Sequence, residues 1–304
     1  MQKVNVTKLQ SFSGHRDCVY ALQPSKEAKH FFSGAGDGMI VKWVLQNPDQ
    51  GELIAKLPNS VYALHYHPQS NLLIAGHNYD GIHLLEWENK KEVGSLHMTK
   101  AAIFDIQSLN GKIYVASGDG MVTSIDLEKL SVTQKKKQSE KNARTITIHA
   151  NRGELAVGYS DHYIRIFDID TLTLKQEWPA HGNSVFTLRY SPDGNFLFSG
   201  SRDARLKVWD VQAGYLQVEE IVAHMYAINH VEFSPNGKHF VTCSMDKSIK
   251  VWDLEELKLL KVIDKARHAG HGTSVNKLLW TSDRLLSASD DRSISAWDIE
   301  LQDS

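Results

Sequence analysis

Two cysteines in 304 residues are too few to staple a fold of this size. Cys18 and Cys243 stand far apart in apolar, strand-like surroundings, in neither a Cys-x-x-Cys pair nor a Cys/His cluster of zinc spacing. Reduced thiols, and with them a cytoplasmic location, are the expectation. An excess of charge of either sign is also missing: 34 Lys+Arg stand against 36 Asp+Glu, for a formal charge of -2. The electrostatic term on which sequence-independent nucleic-acid binding depends is therefore absent. No apolar run approaches the ~20 residues of a membrane span. The opening stretch, MQKVNVTKLQSFSGH, lacks the continuous apolar core of a signal peptide. The expectation is a soluble, non-secreted chain for which nucleic acid is an unfavoured partner and membrane none. Its 41% hydrophobic content is ample for a core.

What the chain does have is a repeat. SGAGDGMIVKW, SGSRDARLKVWD, TCSMDKSIKVWD and SASDDRSISAWD superpose without gaps, reaching Trp43, Trp209, Trp252 and Trp297. Weaker copies end at Trp87, Asp126 and Asp168, which makes seven units. The 254 residues from Trp43 to Trp297 hold six intervals of about 42 residues, the period of four-stranded propeller blades. Within a unit, SVFTLRY, NFLFSGS and RLKVWDV read as strands parted by turn residues, and no helical period interrupts them. Small sheets of this kind cannot bury a face alone and must stack around an axis. The predicted fold is all-β: a single seven-bladed propeller over residues 1–304, with units ending near 43, 87, 126, 168, 210, 253 and 298. The last unit supplies three strands, so Val4 to Phe12 is expected to complete blade 7 and close the ring.

Gly-His before the first strand, Ser-x-x-x-Asp, and Trp-Asp after it together resemble the WD-repeat β-propeller family across essentially the whole chain. The resemblance implies a structural tetrad of His, Ser or Thr, Asp and Trp. It maps onto His15, Ser33, Asp37 and Trp43, and onto His181, Ser199, Asp203 and Trp209. Two further sets are His224, Thr242, Asp246 and Trp252, and His271, Ser287, Asp291 and Trp297. A His, a Ser and an Asp also invite a catalytic-triad reading. Fourfold repetition argues for structure, because a catalytic set need occur only once. Units two to four lack the set: Gly76, Val115 and Val157 take the Ser position, and Glu86, Ile125 and Phe167 the Trp position. Trp87 then falls one residue late, which predicts a register slip. That irregular arc is either specialised or drifted.

Five histidines, His65, His67, His77, His83 and His97, crowd the second unit. A metal site is conceivable there, but no carboxylate or cysteine stands at matching spacing, and surface or core histidines are the favoured reading. The Gly-Asp-Gly triplets at 36–38 and 118–120 are strand turns, since no helix follows to hold an anion. No cofactor and no metal is expected.

In a propeller of this kind the first strand of each blade starts at the channel mouth. The residue after its first core aliphatic is Tyr20, Tyr62, Phe104, Arg144, Phe186, Asn229 and Asn276 in turn. The residue before the tetrad Asp is Gly36, Tyr79, Gly118, Ser160, Arg202, Met245 and Asp290. Aromatics and arginine are hot-spot residues at interfaces, so Tyr20, Tyr62, Phe104, Arg144, Phe186, Arg202, Asn229 and Asn276 are the candidate binding set on this top face. The basic stretch Lys135 to Arg144 is placed in the connection between blades 3 and 4. The expected role is a non-enzymatic platform for a protein or peptide segment, acidic or phosphorylated, within a larger complex, with no need for self-association. The alternatives are an enzyme using the channel mouth, which needs an unrepeated cluster of polar groups there, and a structural subunit of a ribonucleoprotein.

Overall fold

The computed structural model describes residues 3–282 and 284–302, so the expected bounds at 1 and 304 lie outside the described residues. Seven four-stranded antiparallel sheets form the blades of a propeller. In blade 1 the strands are Val19–Pro24, His30–Ala35, Met39–Val44 and Asn47–Lys56, running outward from the axis. The inner strands of blades 2 to 7 are Ala63–His67, Ile103–Leu109, Ala143–His149, Val185–Tyr190, Ile228–Phe233 and Val275–Trp280.

The core is divided by the blade interfaces. Seven apolar clusters each join two neighbouring blades: Phe32 and Ile40 of blade 1 pack with Leu64, Leu73 and Trp87 of blade 2, for example. Every sheet buries both faces against its neighbours, and that is why a lone repeat has no stable core. Close approach explains the Ser-Gly and Ala-Gly pairs on the second strands. A Cβ at Gly34 would stand 2.7 Å from Val61 of the next blade, and one at Gly200 would stand 2.7 Å from Ile228.

Closure uses the N-terminal strand, Lys3–Ser13, which pairs antiparallel with Ser293–Gln302 as the outer strand of blade 7. Its end carries Phe12, almost fully buried, into the blade 1–7 interface, where the ring meets Phe31 edge-on at 5.0 Å and Trp43 at 5.7 Å. Joining the first and last strands of the ring leaves no blade without a neighbour.

Candidate functional site at the channel mouth

Six of the seven inner strands carry one extra residue near their start. In blades 1 and 3 to 7 the pairing skips a position, between Val19 and Ala21, Ile103 and Asp105, Ala143 and Thr145, Val185 and Thr187, Ile228 and His230, and Val275 and Lys277. The skipped residues are Tyr20, Phe104, Arg144, Phe186, Asn229 and Asn276. In blade 2, Tyr62 lies just ahead of the first pair, Ala63 with Gly76. A bulge frees its residue from the ladder and re-aims the side chain. All seven residues line one cavity of about 580 Å³ at the mouth.

Their side chains form a continuous arc. Tyr20 and Tyr62 meet edge-on at 4.8 Å between centroids, and Tyr62 stacks on Phe104 at 5.9 Å. The Arg144 guanidinium follows, over Phe104 at 4.3 Å and over Phe186 at 5.3 Å, with Nε donating to Ser160 Oγ at 3.0 Å. Burial lowers the pKa of Arg144, and repulsion from Arg202, exposed on the neighbouring turn, lowers it further. The other arc is polar and tied down. Asn229 donates to Val275 O at 2.8 Å and Ser274 Oγ at 3.0 Å, and Asn276 donates to Asp290 Oδ1 at 2.7 Å and Val19 O at 3.0 Å. The two asparagines therefore brace the rim, while the aromatic and arginine side chains have faces left for a partner.

An exposed apolar group extends this face over blade 6: Met225 and Tyr226, beside the tetrad His224, and Met245, beside the tetrad Asp246. Met225 and Tyr226 were missed in the sequence, although a signal was there. The residues at this place in other units are small or polar, as in His-Gly-Asn-Ser at 181–184 and His-Gly-Thr-Ser at 271–274.

Below the rim a belt of polar side chains satisfies the inner strands, whose channel-facing edges have no partner strand. Asp105 Oδ2 accepts from the Ile146 N–H of the next blade at 2.8 Å. Thr145, Thr187 and His230 repeat the device toward Leu188, Val231 and Leu278, each at 3.3 Å. Arg189 and Glu232 are ion-paired across blades 5 and 6, and Lys277 also lines the cavity. This unrepeated polar group is the feature that an enzyme reading of the mouth would need. Asp105, His230, Arg189 and Glu232 nonetheless spend their bonds on the neighbouring blade. For Asp105, Thr145, Thr187 and His230 that meets the requirement of an unpaired strand edge.

The four tetrad sets each come together. His15 Nε2 lies 2.7 Å from Ser33 Oγ, Trp43 Nε1 donates to that oxygen at 2.8 Å, and His15 Nδ1 is 3.3 Å from Asp37. The corresponding imidazole-to-hydroxyl distances are 2.7 Å for His181–Ser199, 2.7 Å for His224–Thr242 and 2.8 Å for His271–Ser287. Trp209, Trp252 and Trp297 donate to the same hydroxyls at 2.8, 3.0 and 2.8 Å. The buried hydroxyl thus joins the His ring to the indole and is spoken for on both sides.

Blades 2 to 4 tie their turns differently. In blade 3, Asp119 accepts from Ser117 Oγ at 2.6 Å and Thr99 Oγ1 at 2.8 Å. In blade 4, Asp161 holds Arg165 at 2.9 Å, and that guanidinium lies against Tyr159 and Tyr163. Blade 2 departs most, and its expected alignment needs correcting. Phe31 pairs with Trp43 and Ser33 with Val41 in blade 1, while Leu73 pairs with Leu85 and Ala75 with His83 in blade 2. Ala75, not Gly76, therefore occupies the Ser position, Leu85 rather than Glu86 the Trp position, and Tyr79 the place of the tetrad Asp. The slip sits in the turn, where the left-handed residue is Tyr79 (φ 72°) instead of the one after the Asp, as at Gly38 (φ 77°). Trp87 still reaches the core, against Phe32 at 5.3 Å, with Nε1 donating to Asn71 Oδ1 at 3.0 Å.

The lysine stretch is also moved. Lys135–Lys137 end the outer strand of blade 3, Ser131–Lys137, and only 138–142 is connection. Lys135 caps Met98 O and Lys137 pairs with Glu140, so these charges lie on the outer strand and are not part of the mouth.

The architecture and the wiring define a class: a closed propeller whose polar repeat residues are structural. Comparison with known proteins sets the family. The WD domain, G-beta repeat model matches residues 6–43, 172–210, 216–253 and 263–298. The chain belongs to the WD-repeat β-propeller family. It is 25% identical over 302 residues to the 66 kDa stress protein of Physarum polycephalum, covering 97% of this chain and 48% of that protein. It is 23% identical over 210 residues to the striatin homolog of Dictyostelium discoideum, covering 66% and 21%. The chain thus spans about half or less of the length of these relatives. The fold matches the WD40 β-propeller domain of Doa1 with a TM-score of 0.85 at 16% identity, over 96% of this chain and 97% of that one. Fold and family support a protein-interaction scaffold role, and the family is generally non-enzymatic.

Proposed function

We propose that the top face binds an extended, acidic or phosphorylated protein segment laid across the channel mouth, and that the chain does so as a reduced, cytoplasmic subunit of a larger complex. The observation that supports this reading is the arc Tyr20, Tyr62, Phe104, Arg144 and Phe186, five side chains in contact around one opening. Flat aromatic faces contribute area at low entropic cost, and Arg144 with Arg202 forms a site for carboxylate or phosphate at blades 4 and 5. Asp290, on the asparagine side, gives the mouth a polarity that sets the direction of the bound segment. Both thiols are free, in keeping with a reducing compartment.

The test is an array of acidic peptides, their phosphorylated forms and neutral counterparts, probed with the purified chain. Acidic or phosphorylated members should bind the native chain and fail with Arg202→Glu. Equal binding of neutral peptides, or binding indifferent to Arg202→Glu, would refute the reading.

A further inference from the structure

The turn of blade 2 brings three metal-ligating side chains together. His77 and Asp80 flank a tight turn, and His83 stands on the next strand. His77 Nδ1 and His83 Nε2 are 3.1 Å apart, and Asp80 Oδ2 lies 3.3 Å from the first and 4.0 Å from the second. Zinc binds imidazole nitrogen at about 2.0–2.1 Å and carboxylate oxygen at about 2.0–2.2 Å in tetrahedral geometry, so two of its ligands stand roughly 3.4 Å from each other. Two of the three separations are within about 0.3 Å of that triangle, and the Asp80–His83 one is about 0.6 Å longer.

The surroundings are those of a metal centre as well. Glu92 Oε2 lies 3.2 Å from His83 Nδ1, the ring nitrogen facing away from the cluster, close enough for its charge to favour a proton there and leave the Nε2 lone pair inward, although the geometry is not that of a hydrogen bond. Asn59 Nδ2, 3.4 Å from His77 Nε2, is a donor and so leaves the proton of that neutral ring on Nδ1, from which an incoming metal ion must displace it. His97 bonds the other oxygen of Asp80 and orients the carboxylate. A charged neighbour at Glu92 and the His97 contact on Asp80 are outer partners of the kind that orient metal ligands. His77 is buried and His83 nearly so, whereas Asp80 is a third exposed, which gives an ion a way in. The missing carboxylate is supplied by the turn: Asp80 stands three residues from both histidines. His65 and His67, by contrast, go elsewhere, to Ser108 and Ser70.

We propose that His77, Asp80 and His83 bind one divalent transition-metal ion, zinc first, with a fourth position left for water. The site would staple the one turn whose register departs from the tetrad pattern, and it presents an open coordination position beside the exposed Tyr79. It is independent of the peptide reading above.

The full chain, treated with EDTA, should take up one equivalent of Zn²⁺ by isothermal titration calorimetry and melt at a higher temperature with it. Co²⁺ in its place should show the intense visible bands of tetrahedral coordination. Asp80→Asn combined with His83→Gln should abolish uptake, Glu92→Gln should weaken it about 10–100-fold, and His65→Gln should leave it unchanged. Circular dichroism establishes that each variant is folded. Absence of uptake by the native chain, or uptake unchanged in the folded double variant, overturns the proposal. If the double variant does not fold, an unaltered affinity in Glu92→Gln together with a Co²⁺ spectrum of octahedral type overturns it instead.

Discussion

The Arg144 guanidinium lies over the Phe104 ring, 4.3 Å from its centroid, and so links the rims of two blades with a charge that is itself partly desolvated. Arg202 adds a second, exposed charge on the adjoining turn. The two arginines differ in kind: Arg144 holds Phe104 and Phe186 in line, whereas Arg202 touches only what comes to it.

Arg202→Glu should leave stability within about 0.5 kcal/mol, as expected of an exposed turn. Affinity for an acidic peptide should fall by at least the roughly 2–5 kcal/mol typical of a truncated charge pair. The salt dependence of binding should flatten with it. Phe186→Ala should weaken binding with salt dependence intact. Lys238→Glu, at the far end of the blade 6 inner strand, should change neither. Fluorescence anisotropy across a salt series separates the three outcomes.

The tetrads should carry stability. Asp203→Ala removes the acceptor of the His181 ring and of the Gly182 and Arg205 N–H groups, at a cost of roughly 1–3 kcal/mol. Asp161→Ala should cost less, because Arg165 keeps Glu177 at 2.7 Å and its two tyrosine rings. Urea titrations that give equal losses would contradict the assignment.

Stability should fall with acid in two stages. Burial lowers the pKa of His15, His181 and His224, and it outweighs Asp37, Asp203 and Asp246, which oppose it; Lys207 beside His181 and Lys250 beside His224 add to the lowering, and Glu220 resists it. For Asp203, Asp246 and Asp291, burial pushes the carboxyl up, but bonds from the paired imidazoles and from backbone N–H groups hold it well below the ordinary value. In both cases the unfolded chain binds protons that the native chain refuses, so stability is lost as pH falls. Losses should begin near the unfolded His value of about 6.5 and steepen below about 4, where the carboxylates of the unfolded chain protonate. Melting temperatures measured from pH 8 to pH 3 check this, and a rise between pH 8 and pH 5 would contradict it.

A buried carboxylate clamps blades 4 and 5 from below. Glu154 accepts from Tyr215 at 2.6 Å and pairs with Lys175 at 2.8 Å and Arg152 at 2.9 Å. Tyr215→Phe keeps the stacking on Trp178 at 5.3 Å but removes a hydrogen bond to a charge. The expected loss is about 1.5–3 kcal/mol in denaturant unfolding.

Much of this was legible in the chain itself. A 42-residue period, strand-length alternation and a Trp recurring beyond an Asp specify seven sheets with two apolar faces each, and stacking around an axis is then the way to bury both. The rim residues were legible too, because a repeat lets one position be compared seven times. Three things belong to the tertiary structure. The bulge that aims Tyr20 or Arg144 at the mouth is a matter of pairing between strands, and no residue type encodes it. The belt through Asp105, Thr145, Thr187 and His230 serves N–H groups of the next blade about 40 positions away, a debt visible only once the inner edges face the channel. In blade 2, Asp80 was matched to the tetrad Asp by residue type, yet hydrogen-bond register puts Tyr79 there. A one-residue shift inside a turn leaves the strand pattern on either side unchanged in sequence, and it is enough to carry His77, Asp80 and His83 into one cluster.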